Sequence, residues 1–225
     1  IIIVYCYFEV ISLKKILPIL AAFTLTTTAY AEKLIVTYDN SNSLYAVSRY
    51  EEEKEYNKVI NNALNPKDGP LLMGEIVRKV SEAANNEAVL VTDVGQNQLF
   101  ACRYFKFKKS RSIVTSGGCG TMGFGFPAAI GAKIANRDKT VICVTGDGGF
   151  QMTIQELGTI MEQQCPVKMI LLNNNYLGNV RQWQELFFNH RYSWTPMLNP
   201  EYSLIAQGYG IPSRLVIERS ELDAA

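Results

Sequence analysis

From Leu71 onward, short apolar runs alternate with amphipathic stretches. Ala88–Val94, Ser112–Thr115, Thr140–Thr145, Val167–Leu172 and Arg214–Ile217 are rich in branched apolar residues and are bounded by turn residues, the pattern of buried strands. Between them, Gly74–Asn85 sets Ile76, Val77 and Val80 at helical spacing. Phe126–Asn136, Thr153–Gln163, Leu177–Phe188 and Glu201–Gln207 also read as helices. Strands that are apolar throughout, alternating with helices, predict an α/β fold: a parallel sheet with helices on both faces. Residues 1–65 do not share this rhythm. Ile1–Val10 is an apolar run, Lys14-Lys15 precedes a second from Ile16 to Leu25, and Ala29-Tyr30-Ala31 follows. That order resembles a secretory signal, and a helix of a preceding domain broken near Pro18 is the competing reading. Tyr45–Asn65 is polar and charged, a solvated helix or linker. The expected division is an irregular or helical segment over 1–65 and a single domain over 66–225, parted at the turn-rich Asn65–Pro70.

Composition narrows the class. The chain has 225 residues, 48% hydrophobic and 19% charged, which suits a globular protein. Twenty-two basic and 21 acidic residues leave a net charge of +1, so no basic surplus points to nucleic acid. The apolar stretch near the start is too short, and too interrupted by Pro18, for a membrane span. Five cysteines without a C-x-x-C pair read as reduced thiols, consistent with a cytoplasmic protein. The one histidine, His190, excludes a multi-histidine metal site. The first residue is Ile1, so the sequence is expected to begin partway through a longer reading frame.

Three predicted strand ends carry unusual clusters: Val94-Gly95-Gln96-Asn97, Gly146-Asp147-Gly148-Gly149 and Asn173-Asn174-Asn175. Ligands of such sheets lie at the carboxyl ends of the strands. Asp147 between glycines, ahead of a helix whose first N–H groups favour anions, repels an anion unless a cation lies between them. Mg²⁺ fits that place, because it takes hard oxygen ligands and bridges carboxylate to phosphate. Asn174 follows Asp147 by 27 positions, one helix and one strand later, so both emerge on one rim. Gly118, Gly120 and Gly123 form a G-x-G-x-x-G, which alone allows a dinucleotide site.

With the following strand and its asparagines, "GDG…NN" resembles the thiamine diphosphate motif. "TSGGCGTMGFGFPAAIGA" and "VTDVGQNQ" resemble the pyrimidine- and diphosphate-contacting segments of that superfamily. The stretch from Gln151 to Ser193 is similar to acetolactate synthase large subunits, the resemblance covering about Asn57 to Ala225. The resemblance implies that Asp147, the Asn174 side chain and the Tyr176 carbonyl hold Mg²⁺. It implies that Gln96 and Asn97, with the Gly148 and Gly149 N–H groups, hold thiamine diphosphate, Gly95 and Gly146 lying at the same site. Many members carry histidine at the position of Asn97. The Gly120 carbonyl and the Met122 N–H are implied at the aminopyrimidine, with the Met122 side chain between the two rings. Trp183 and Met152 are implied near the second keto acid, although Trp183 with Leu186 and Phe187 reads on spacing alone as helix packing.

The implied reaction is loss of CO₂ from pyruvate and addition to pyruvate or 2-oxobutyrate, in branched-chain amino-acid biosynthesis. A different 2-keto acid decarboxylase and an inactive cofactor-binding fragment are the alternatives. No catalytic side chain is expected within this chain. The family's activating glutamate belongs to an N-terminal domain and FAD to the complete enzyme, so the chain alone is expected to be inactive. Partners implied are a second copy in a homodimer or higher oligomer and a regulatory small subunit, with no nucleic acid and no membrane.

Overall fold

A computed structural model describes residues 1–6, 61 and 64–225. The chain divides into two compact units, Ile1–Phe8 with Pro66–Ala225, and Glu9–Asn65. The signal-like stretch at 14–31 and the charge run Glu51–Lys54 lie outside the described residues.

The larger unit opens with β1 (Ile2–Tyr5) and resumes with α1 (Met73–Ala83), β2 (Val89–Thr92), α2 (Gln96–Tyr104) and β3 (Ile113–Thr115). Then come α3 (Gly125–Ala135), β4 (Val141–Gly146), α4 (Asp147–Met152), α5 (Glu156–Gln163) and β5 (Lys168–Asn173). The last elements are α6 (Gly178–Phe187), α7 (Tyr202–Gly208), β6 (Arg214–Val216) and a 3₁₀ turn, Arg219–Ala224. The strands form one six-stranded sheet in the order β3-β2-β4-β5-β1-β6, every pair parallel.

Side-chain alternation along the strands supplies the sheet with two cores. Ile142 and Val144 of β4, Leu90 of β2 and Ile170 and Leu172 of β5 pack under α1 and α2, against Ile76, Val77 and Ala101. Val141 and Cys143, Val89 and Val91, and Met169 and Leu171 pack on the other face against Phe126, Ala129, Phe150 and Leu157. Both faces are covered, which is why these strands are apolar at consecutive positions.

The amino-terminal residues depart from the expected division. Ile2–Tyr5 is not part of a separate leading segment: it lies in the sheet between β5 and β6. Ile3 and Val4 are buried on opposite faces. The Cys6 N–H donates to the Asn173 carbonyl at 3.0 Å and the Arg214 N–H to that of Ile1 at 2.8 Å. The run is short and apolar, a composition that signals and buried strands share, and the partners that decide between them are about 170 residues away.

Two helices were absent from the expected set. The sequence of α2 places no clean apolar stripe, and it buries only Gln96, Asn97 and Ala101. The expected helix at Thr153–Gln163 is preceded by a separate one, α4, which starts at Asp147 itself. Gly148 and Gly149 look like loop residues by composition yet stand in its first turn.

Candidate cofactor site

The chain passes from β2 to β3 on one side and returns to β4 on the other, so the strand order reverses between β2 and β4. In parallel sheets the crevice beyond the strand ends at that reversal is where ligands bind. The tips of β2, β4 and β5 open there onto a cavity of about 220 Å³. Its lining brings together Met73 of α1 and residues from four further stretches that are distant in sequence, the last running from β5 into α6. Gly95, Gln96 and Asn97 come from the β2 tip, Gly120 and Met122 from the glycine loop, and Gly146–Gly149 from the β4 tip. Asn174 and Tyr176 follow β5, and Gly178–Val180 begin α6. Every residue expected to hold the cofactor or a metal lines this one cavity. Met152 and Trp183 do not line it, and both are exposed, at 55% and 62%.

Asp147 is buried, and its carboxylate is held in place by three donors. Oδ2 accepts from the Asn175 N–H at 2.9 Å and from Asn199 Nδ2 at 2.7 Å, while Oδ1 accepts from the Gly148 N–H at 3.1 Å. Burial raises the Asp147 pKa above the usual carboxylate value; the bonds from Asn199, Gly148 and Asn175 oppose that rise. A buried carboxylate at a cavity wall, bonded among the described residues to neutral donors, favours a cation. Asn174 is buried too and lines the same cavity. Its Oδ1 accepts from the Tyr176 N–H at 3.1 Å and its Nδ2 donates to Gln96 Oε1 at 3.2 Å. The Arg181 guanidinium stacks 3.9 Å from the centre of the Tyr176 ring.

The glycine loop is tied to the sheet by a residue that the motif reading passed over. Asp93, fully buried at the β2 tip, accepts from the Val94 N–H at 2.7 Å and the Gly123 N–H at 3.1 Å through Oδ1. Through Oδ2 it accepts from the Gly125 N–H at 2.7 Å. This clamp ties the loop that carries Gly120 and Met122 to the β2 tip. It also explains a glycine of the Gly146–Gly149 cluster: a Cβ on Gly149 runs into Asp93 Oδ1. Across the cavity, a Cβ on Gly178 runs into Gln96 Oε1, so α6 starts with bare backbone against the side chain that holds Asn174.

Asn199 was also missed. It lies 52 residues after Asp147, between a β-bridge at Pro196 and α7, where no periodic pattern marks it. The Asn199-Pro200 dipeptide reads as a turn, and only the folded contacts show what its side chain does.

The donor set suits Mg²⁺. Among the described residues no cluster of three histidine, cysteine or acidic side chains exists. One carboxylate, one amide oxygen and backbone oxygens match a cation that keeps much of its coordination for water and substrate phosphates. Among the described residues no helix is long and apolar enough to cross a membrane.

Residues 93–225, more than half of the chain, match the family described as "Thiamine pyrophosphate enzyme, C-terminal TPP binding domain". Similar proteins include the acetolactate synthase isozyme 2 large subunit of Escherichia coli, 42% identical over 151 residues, covering 67% of this chain and 28% of that protein. The acetolactate synthase large subunit of Lactococcus lactis is 46% identical over 147 residues, covering 65% of this chain and 26% of its own. The mitochondrial acetolactate synthase catalytic subunit of Saccharomyces cerevisiae is 41% identical over 152 residues, covering 66% and 22%. The chain thus spans about a quarter of the length of these relatives. All of the cavity's lining except Met73 falls within the match over 93–225, and the chain belongs to the thiamine pyrophosphate enzyme family by its C-terminal TPP-binding domain.

Proposed function

We propose that the chain supplies the thiamine diphosphate- and Mg²⁺-holding part of an acetolactate synthase. Such an enzyme joins pyruvate to pyruvate or 2-oxobutyrate with loss of CO₂, toward branched-chain amino acids. The observation that carries the reading is the convergence of Asp147 and Asn174, from neighbouring strand tips, on one glycine-walled cavity. The names of the relatives supply the reaction.

In this reading Asp147, the Asn174 side-chain oxygen and the Tyr176 carbonyl hold the metal. Gln96, Asn97 and the N–H groups of Gly148 and Gly149 hold the diphosphate, with Gly95 and Gly146 leaving room for it. The glycine loop, held by Asp93, presents the Gly120 carbonyl and Met122 to the pyrimidine. When bound, thiamine diphosphate supplies the electron sink for loss of CO₂. The protein's own part is to hold and orient it and to neutralise its phosphates.

A cavity of about 220 Å³ is smaller than the roughly 300–1,000 Å³ of a complete small-molecule site. That supports a site completed by a second surface, from a second copy or a further domain that brings the activating glutamate and holds FAD. Exposed Met152 and Trp183 are proposed to meet the keto acid once that surface covers them. A regulatory small subunit and a cytoplasmic location belong to the same reading.

The test is calorimetric titration of the chain with thiamine diphosphate, with Mg²⁺ and again after chelation. Binding that requires Mg²⁺ is expected. Affinity that is the same after chelation refutes the site.

A further inference from the structure

We propose that Asn199 is a positioning residue that aims the metal-binding carboxylate and amide together, acting from outside the cavity. The inference rests on the cofactor reading above and deepens it.

The amide nitrogen of Asn199 lies 2.7 Å from Asp147 Oδ2, 2.8 Å from Asn173 Oδ1 and 3.0 Å from Asn175 Oδ1. Its oxygen accepts from Gln151 Nε2 at 2.7 Å and from the Tyr202 hydroxyl at 3.1 Å. Those contacts settle which way the amide faces. Reversed, its oxygen meets a carboxylate and two amide oxygens, none of which can donate. Gln151 stands at the end of α4 and Tyr202 at the start of α7, where its ring packs edge-on against Phe150, 5.5 Å between centres. The donor is therefore anchored from two helices.

Two consequences reach the cavity. First, the hydrogen bond from Asn199 and that from the Asn175 N–H both fall on Asp147 Oδ2. The other oxygen, Oδ1, accepts from the N–H of the next residue at 3.1 Å, against two donors at Oδ2, and is the oxygen with more room for a cation. Second, Asn199 grips Asn173 and Asn175, the two neighbours of Asn174. Asn175 takes a left-handed backbone conformation, φ 60°. With its outer two members held behind the cavity, the Asn173-Asn174-Asn175 triplet presents its middle amide to the cavity wall. One NH₂ group thereby fixes the carboxylate and the amide relative to each other. Asn199 does not itself line the cavity, so its influence on a metal passes through Asp147 and the triplet.

The experiment measures thiamine diphosphate binding to the full chain by calorimetry across a series of Mg²⁺ concentrations, with thermal unfolding of each variant in parallel. Partners that orient a metal ligand are worth roughly 10–100-fold in metal affinity. Asn199→Ala is expected to raise the half-saturating Mg²⁺ concentration by a factor in that range, with cofactor binding recovered at saturating Mg²⁺. A lowered unfolding temperature with an unmoved Mg²⁺ midpoint overturns the inference, because it leaves Asn199 a purely structural role. Should Asn199→Ala not fold, Gln151→Leu removes the donor that sets the amide's direction without touching Asp147. It is expected to shift the Mg²⁺ midpoint the same way, and no shift overturns the inference. Binding by the unsubstituted chain without any need of Mg²⁺ overturns the cofactor reading itself, and this inference with it.

Discussion

Two aspartates stand buried at neighbouring strand tips, Asp93 after β2 and Asp147 after β4, and their surroundings differ in kind. Asp93 spends both oxygens on the backbone N–H groups of Val94, Gly123 and Gly125, two of them from the loop it clamps. Asp147 lines the cavity, its Oδ1 accepts from the neighbouring Gly148 N–H at 3.1 Å, and burial raises its pKa. One carboxylate faces the glycine loop and closes the fold. The other has as many donors but lines the cavity, and in the proposed cofactor reading a charge from outside completes it. Rim position, residue type and the number of internal donors, three to each, do not separate a clamp from a ligand site; lining the cavity does.

The comparison breaks first, and with the largest effect, at Asp93. Asp93→Ala leaves three buried or half-buried N–H groups without their acceptor, each at about 1–3 kcal/mol. A loss on the order of 4 kcal/mol is expected in urea unfolding with no cofactor present, a large share of a typical domain's stability. A loss under about 1 kcal/mol would show that the loop is held by something else.

Asp147→Asn tests the other half. The amide keeps an oxygen for Asn199 and the Asn175 N–H and removes a charge that burial disfavours. Unfolding free energy without Mg²⁺ is expected to stay within about 1 kcal/mol of the unsubstituted chain, while Mg²⁺-dependent binding of thiamine diphosphate is lost. If the substitution instead costs as much stability as Asp93→Ala, then Asp147 is a clamp too, and the contrast disappears.

The same contrast marks how far the sequence could be read. Strands β2 to β6 and the helices α1, α3, α5, α6 and α7 were legible because each is apolar or amphipathic over its own length. The Gly146–Gly149 cluster and Asn174 were legible because strand ends in such a sheet share a rim. Three features depend on pairings across long separations and left no local trace. Strand β1 is defined by strands near residues 170 and 214. Asp93 was visible as part of a cofactor segment, but its clamp closes on Gly123 and Gly125, about thirty residues on. Asn199 sits in irregular chain, and its hydrogen bonds are the only sign of its task.

The smallest effect checks that glycines at the site are kept for contact and not by habit of composition. Gly149 and Gly131 both lie in helices. A Cβ at Gly149 runs into Asp93 Oδ1, whereas one at Gly131, exposed on α3, meets nothing within 4 Å. Glycine inside a helix costs about 0.5–1 kcal/mol relative to alanine, through backbone freedom in the unfolded chain. Gly131→Ala is therefore expected to stabilise the chain by about that amount in urea unfolding, with Mg²⁺-dependent cofactor binding unchanged. A destabilised Gly131→Ala would mean that α3 meets an unseen neighbour at that point. Space around a glycine in this chain alone would then no longer tell a clamped site from a tolerant one.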